Sequence, residues 1–209
     1  GNALLRLILY CEHMSAGTEQ QKDLDFWRKF VQEYFTEMGV LKHSVTDPVT
    51  KEQAVYEVPN AALPRYYRTL FQEGIKRVQL IPENPREVVV NPNVHVIDCT
   101  RTTVIYWFQN GSHVVCHGSL RIFTNAAYRF DSFEFHAHDF AEFMSKSVLV
   151  NTLKTQQANV GQADAPSVAE LLPKRLVNGF GITDTMKRFF QVTQVMSQMR
   201  ELVPFYMAQ

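Results

Sequence analysis

Apolar positions recur with two different periods along this chain, and the switch between them predicts an α+β fold. Over residues 22–38, Leu24, Trp27, Val31, Tyr34, Phe35 and Met38 share one helical face, with Gly39 placed as a left-handed stop. A strand is expected at 40–45 and a polar loop at 47–53. Pro64 suits a first helical turn and Gly74 a helix stop, so a short helix should precede a strand at 75–81. Pro82, Pro85 and Pro92 then leave room for short strands at 87–90 and 95–99.

The clearest sheet signal is Asn110-Gly111, which favours a two-residue type I′ hairpin. Such a turn sets Trp107 opposite Val114 and Ile105 opposite Cys116 on one face, with Phe108 opposite His113 and Tyr106 opposite Val115 on the other. Both faces are largely apolar. A sheet covered on one side alone would alternate polar and apolar, so the second face is expected to meet protein as well. Val104, Tyr106, Phe108 and Val115 are the candidates for that contact. Gly118 marks a bend or bulge in the strand at 113–124. In the last strand, 128–138, Phe133, Phe135 and Ala137 alternate with Glu134, His136 and His138.

The pattern then changes. Residues 151–167 are polar and contain no aromatic residue, which predicts a linker between a domain at 1–150 and a helical segment at 168–209. Helical spacing resumes at 168–175 and at 184–203, with Thr183 as N-cap and Pro204 as terminator. The second helix carries Met186, Phe189, Phe190, Val192, Val195, Met196, Met199, Leu202 and Val203, a wide stripe for a lone helix. Methionine-rich apolar helices suit adaptable partner grooves.

The run Leu63-Pro64-Arg65-Tyr66-Tyr67-Arg68-Thr69-Leu70-Phe71-Gln72-Glu73-Gly74 resembles the Pro-Arg-Tyr-Phe/Tyr-Arg-Ser/Thr-Ile/Leu-Phe-x-x-Gly helix of the LIM-domain-binding protein family. That family includes animal Ldb/Chip adaptors, plant SEUSS proteins and fungal regulators of filamentous growth. The likeness extends from Leu5-Arg6-Leu7-Ile8 through Phe26-Trp27 to Asn178-Gly179-Phe180-Gly181-Ile182-Thr183 and Met199-Arg200-Glu201-Leu202. It implies a nuclear-transport-factor-2-like cone with a C-terminal helical extension, and a nuclear, non-enzymatic adaptor that forms homodimers. It also implies that the C-terminal segment engages a LisH-domain co-regulator of the single-stranded-DNA-binding-protein class, so that DNA-bound transcription factors are reached indirectly. Phe189, Val192, Met196, Met199 and Leu202 are the expected partner contacts.

Charge and chemistry narrow the picture further. The 209 residues include 21 basic and 21 acidic side chains, a balance that argues against direct gripping of nucleic acid. The basic pairs Lys76-Arg77, Lys174-Arg175 and Lys187-Arg188 are too dispersed to form a stripe. The apolar start at 3–10 is too short to span a bilayer and lacks the flanks of a signal peptide. Cys11, Cys99 and Cys116 form no C-x-x-C pair, which predicts a reducing compartment and no cysteine metal site. His136-Ala137-His138 with Glu142 offers too few ligands for a metal centre. Asp98 and Asp131 with His95, His113 or His117 make the one imaginable acid–base set, and no catalytic motif or cofactor fingerprint accompanies them. Neither a cofactor nor a membrane partner is expected. A small-molecule site inside the cone is the alternative reading, since fold does not fix function.

Overall fold

The computed structural model describes residues 1–47, 49–159 and 174–207. Its architecture is α+β: a cone in which helices pack against one face of a single bent sheet. α1 (Asn2–Ser15) buries Ala3, Leu7, Tyr10 and Met14, a stripe at helical spacing. A short 3-10 turn (Glu19–Lys22) leads to α2 (Leu24–Tyr34), whose N-terminus is capped by the Asp23 side chain accepting from Asp25 N at 3.0 Å.

α2 stops earlier than its periodicity predicts. Phe35 already belongs to β1 (Phe35–Thr46), where its ring meets Phe130 edge-on at 5.4 Å, and Met38 is 90 % exposed. The apparent helical stripe thus joined a core helix to the start of a strand. Gly39 is not a helix stop; it lies at a register break of β1 against β7, where a Cβ would stand 2.8 Å from the Phe130 carbonyl oxygen.

β1 pairs antiparallel with β2 (Gln53–Pro59). α3 (Leu63–Gln72) follows, with Pro64 in its first turn and Gly74 at φ +83° beyond its end, as expected. Its Tyr67 and Phe71 rings stack on the fully buried Trp27 at 5.0 and 5.2 Å, and the Trp27 indole N–H donates to the Gln21 carbonyl at 2.7 Å. The rest of the sheet is β3 (Ile75–Glu83), β4 (Arg86–Asn91), β5 (Val94–Phe108), β6 (His113–Thr124) and β7 (Phe130–Phe143). The strand order is β2-β1-β7-β6-β5-β3, with β4 also pairing β5 and the β1–β7 pair parallel. The short strand expected at 95–99 is the first part of one long strand. A register break between Cys99 and Thr102 lets β4 and β3 share β5 in turn. Gly118 marks a second break, where a Cβ would fall 2.0 Å from the His136 carbonyl oxygen. Phe133, Phe135 and Ala137 are buried as their alternation predicts.

The C-terminal third departs from expectation more widely. Residues 151–159 are not linker but the second part of α4 (Lys146–Asn159), whose start is capped by Ser145 Oγ accepting from Val148 N at 3.3 Å. The helix expected at 168–175 falls mostly outside the described residues, and Lys174 and Arg175 are not helical. α5 (Asp184–Met207) starts at the predicted N-cap, with Thr183 Oγ accepting from Met186 N at 3.2 Å. It runs through Pro204, the expected terminator, whose missing N–H costs the helix one bond without ending it.

Candidate interaction surfaces

The β5–β6 hairpin decides which apolar residues point outward. Phe108 N donates to Ser112 O at 2.9 Å and Gly111 N to Phe108 O at 3.1 Å, so the loop has three residues, 109–111. Gly111 takes φ +85°, while Asn110 keeps a negative φ and its Oδ1 accepts from Ser112 N at 2.9 Å. This is a type I turn closed by a glycine bulge, not the expected type I′ turn.

The pairing therefore slips by one residue. Tyr106 faces Val114, Val104 faces Cys116, Ile105 faces Val115 and Trp107 faces His113. A one-residue slip moves side chains to the opposite face. Val104, Tyr106 and Phe108 line the inside of the cone, and Val115 alone of the expected four lies on the outer face with Ile105 and Trp107. The proposed set does not share one surface.

The outer face carries a stack that sequence reading missed. The Arg77 guanidinium sits 4.8 Å over the Trp107 ring, Trp107 is 4.6 Å from His113, and His113 lies flat on Phe143 at 4.8 Å with 9° between planes. The Trp107 N–H donates to Gln79 Oε1 at 3.2 Å. Ile105 and Val115 are half-buried beside this ridge, and Phe143 is 48 % exposed. Recognising the glycine-bulge hairpin would have found it, because the shift alone brings Trp107 and His113 opposite one another.

The imagined chemical sets do not assemble. Asp98 pairs with Arg121 at 3.0 Å, Asp131 accepts from Thr36 at 2.8 Å, His95 meets Glu87 at 3.0 Å, and His117 meets Thr103 at 3.2 Å. The His136 and His138 rings are 4.7 Å apart, yet no group of three metal-ligating side chains converges among the described residues. Burial pushes the Cys11 and Cys116 thiols up to about 12, so both stay protonated. No helix among the described residues is long and apolar enough to cross a membrane.

The C-terminal segment closes the mouth of the cone. Glu142 Oε1 accepts from Leu176 N at 2.6 Å, and Thr183 Oγ donates to Glu73. Between these ties the Asn178–Ile182 loop folds on itself, with Asn178 N donating to Ile182 O at 2.9 Å and Asn178 Oδ1 accepting from Phe180 N at 2.9 Å. Gly181 takes φ +74° hard against the Phe140 ring, where a Cβ would come within 2.7 Å. Val177, Ile182, Met186 and Phe190 enter the core. Phe190 stacks on Tyr56 at 4.4 Å and 9°, and meets His43 edge-on.

α5 consequently divides its stripe. Met186, Phe190 and Thr193 are buried and Phe189 is half-buried, 6.0 Å from the Tyr66 ring, whereas Val192, Val195 and Met196 are 58, 53 and 61 % exposed. These three residues fall at i, i+3 and i+4, one face of the helix. Val195 joins the surface although it was not among the expected contacts, and Phe189 leans toward its own domain. The side chains of Met199 and Leu202 lie outside the described residues.

The interior is filled by Tyr10, Tyr66, Tyr67, Tyr106 and by Phe130, Phe133 and Phe135 of β7. Two cavities of about 20 and 50 Å³ remain at its centre. Ligand pockets for small molecules run to ~300–1,000 Å³.

The interior of the cone keeps only small cavities, while Phe143 on the outer sheet face and Val192, Val195 and Met196 on α5 are exposed, an arrangement suited to meeting other proteins. The chain belongs to the LIM-domain binding protein family, whose sequence pattern matches residues 5–209. Similar relatives include Adhesion defective protein 1 of Schizosaccharomyces pombe, 27 % identical across all of this chain and 60 % of that protein. Transcriptional activator ptaB of Aspergillus fumigatus is 28 % identical over 98 % of this chain and 30 % of its own length. Transcriptional corepressor SEUSS of Arabidopsis thaliana is 23 % identical over 89 % of this chain and 26 % of its own. The chain spans 60 % or less of the length of each of these relatives.

Proposed function

We propose that this chain is the self-associating, partner-docking part of a non-enzymatic transcriptional co-regulator acting in the nucleus. The observation that carries the reading is the division of α5: one face anchored in the cone through Met186 and Phe190, the other presenting Val192, Val195 and Met196 to solvent. A helix held rigidly by one face can offer the other to a partner without a large ordering cost. The occupant is a LisH-domain co-regulator, as the family resemblance implies.

Self-association takes place through the outer sheet face, where Phe143 is exposed and Ile105, Trp107 and Val115 are half-buried. Two copies then bring together whatever each one holds, raising effective concentration between factors bound far apart. Such action is geometric and indifferent to sign, which fits relatives described as an activator and as a corepressor. The filled interior disfavours the small-molecule reading, because its cavities are far below ligand size.

Light scattering and calorimetric titration test the two halves separately. At tens of micromolar, a range of order ~10⁻⁵ M suited to weak interfaces, the wild type should be dimeric and Val115→Lys monomeric, since a buried unpaired charge is strongly unfavourable. A LisH-domain co-regulator should bind the wild type and lose at least about tenfold in affinity for Val192→Ala/Met196→Ala, roughly 1–4 kcal/mol per anchor. A monomeric wild type refutes the first half. Unchanged affinity in the double variant refutes the second.

A further inference from the structure

The centre of the cone contains polar groups that no protein atom satisfies. His43 on β1 and Tyr66 on α3 are each only 5 % exposed, and Tyr106 reaches toward them from β5. Among the described residues none of these three side chains forms a hydrogen bond to protein, whereas the nearby Tyr10 and Tyr67 hydroxyls bond each other at 2.9 Å. Unlike the sealed Thr102 Oγ and Asn178 Nδ2, the polar atoms of His43, Tyr66 and Tyr106 keep a little accessible area, enough for a water to reach them, and polar groups of largely buried side chains are almost always satisfied by protein or by ordered water.

Among the described residues the three groups also border two cavities in common. His43, Tyr66 and Tyr106 line both central cavities, the larger reaching toward Tyr10 and Met14 of α1 and the smaller roofed by Ile182, Met186 and Phe190. Tyr106 retains some accessible area, yet burial holds its hydroxyl well above the ordinary tyrosine range. Part of the area that Tyr106 exposes borders the two cavities it lines. Each of the three side chains can both donate and accept, so a small hydrogen-bonding molecule between them is met on every side.

We propose that the cone holds a bound-water cluster between β1, α3 and β5, with His43, Tyr66 and Tyr106 as its protein ligands and α5 as its roof. At one probe sphere of ~10–15 Å³ per molecule, the smaller cavity takes about one water and the larger about three. The roof of Ile182, Met186 and Phe190 is apolar, so the hydrogen bonds of the waters go to β1, α3 and β5. They also account for a tyrosine-rich interior in which phenylalanine would otherwise serve.

The test is a crystal structure of the full chain at a resolution that orders solvent, paired with xenon-pressurised crystals. Ordered waters within hydrogen-bond distance of His43, Tyr66 and Tyr106, with no xenon in the cavities, are the expected result. Xenon occupying them without ordered solvent overturns the proposal, because dry apolar cavities take up xenon and hydrated polar ones do not. Direct hydrogen bonds among the three side chains that close the space overturn it equally. Tyr106→Phe keeps the ring and should lose the waters bonded to the hydroxyl while its circular dichroism matches wild type. An unchanged solvent cluster in that variant removes Tyr106 from the site. Water-to-protein nuclear Overhauser effects in solution provide the same reading if crystals fail, and their absence at all three side chains counts against the cluster.

Discussion

The two ends of the cone interior are built differently. Around Trp27 the rings of Phe30, Tyr67 and Phe71 interlock within about 5 Å of the indole, the N–H is satisfied by Gln21, and the Tyr10 and Tyr67 hydroxyls satisfy each other. Around Tyr106 the packing is looser and holds cavities, and the wall is completed by a loop and helix arriving from far along the chain. The first end is made by α1, α2 and α3 folding together within the first 72 residues. The second exists only once 174–193 has docked. One end is a core; the other is a mouth that its own C-terminal segment stops.

Substitutions at the two ends should therefore differ in kind as well as size. Trp27→Ala removes the centre of the interlocked end and is expected to cost ~3–5 kcal/mol, seen as a cooperative loss of stability in denaturant melts. A cost below about 1 kcal/mol would mean that the ring cluster is not the nucleus of the packing.

The mouth should respond to pH instead. Burial, with a smaller effect of His136, holds the His43 imidazole down to about 4 from its ordinary 6.5. The unfolded chain therefore takes up the proton first as pH falls. The stability associated with neutral His43 is complete above pH 6.5 and is lost between pH 6.5 and 4, by roughly 3 kcal/mol in all. His43→Phe should flatten that part of the stability profile, and an unaltered slope would remove His43 as its source.

The smallest effect on folding is expected on the open face of α5. Val192→Ala and Met196→Ala touch solvent on most of their surface and should shift stability by no more than ~0.5 kcal/mol in thermal melts. Phe190→Ala on the opposite face should cost ~3 kcal/mol and release α5 as hydrogen-exchange protection is lost there. Equal losses from both faces would show that α5 is packed all round and has no face to offer.

Local rules sufficed wherever local chemistry set the outcome. α3 could be read from Pro64 and Gly74, the start of α5 from Thr183, and the sheet break from Gly118, because capping, left-handed φ and close backbone approach each act within a few residues. Periodicity misled at α2, where Phe35 and Met38 continue the helical spacing by coincidence and only Phe130 decides that Phe35 is strand.

The hairpin register was beyond any local rule. Asn110-Gly111 can form either loop, and the choice rests on Ser145: its N donates to Ser112 Oγ at 3.1 Å and its Oγ to Asn110 O at 3.0 Å, pinning the three-residue form from 33 and 35 residues away. With that pin in place Val104, Tyr106 and Phe108 turn inward and Trp107 turns out. The apolar stripe of α5 is likewise plain in sequence, but which half is core and which half is surface depends on Tyr56, Tyr66 and His43. Sequence determined which residues are apolar and how they are spaced; tertiary contact decided which way they point, because burial is a property of the partner and not of the residue.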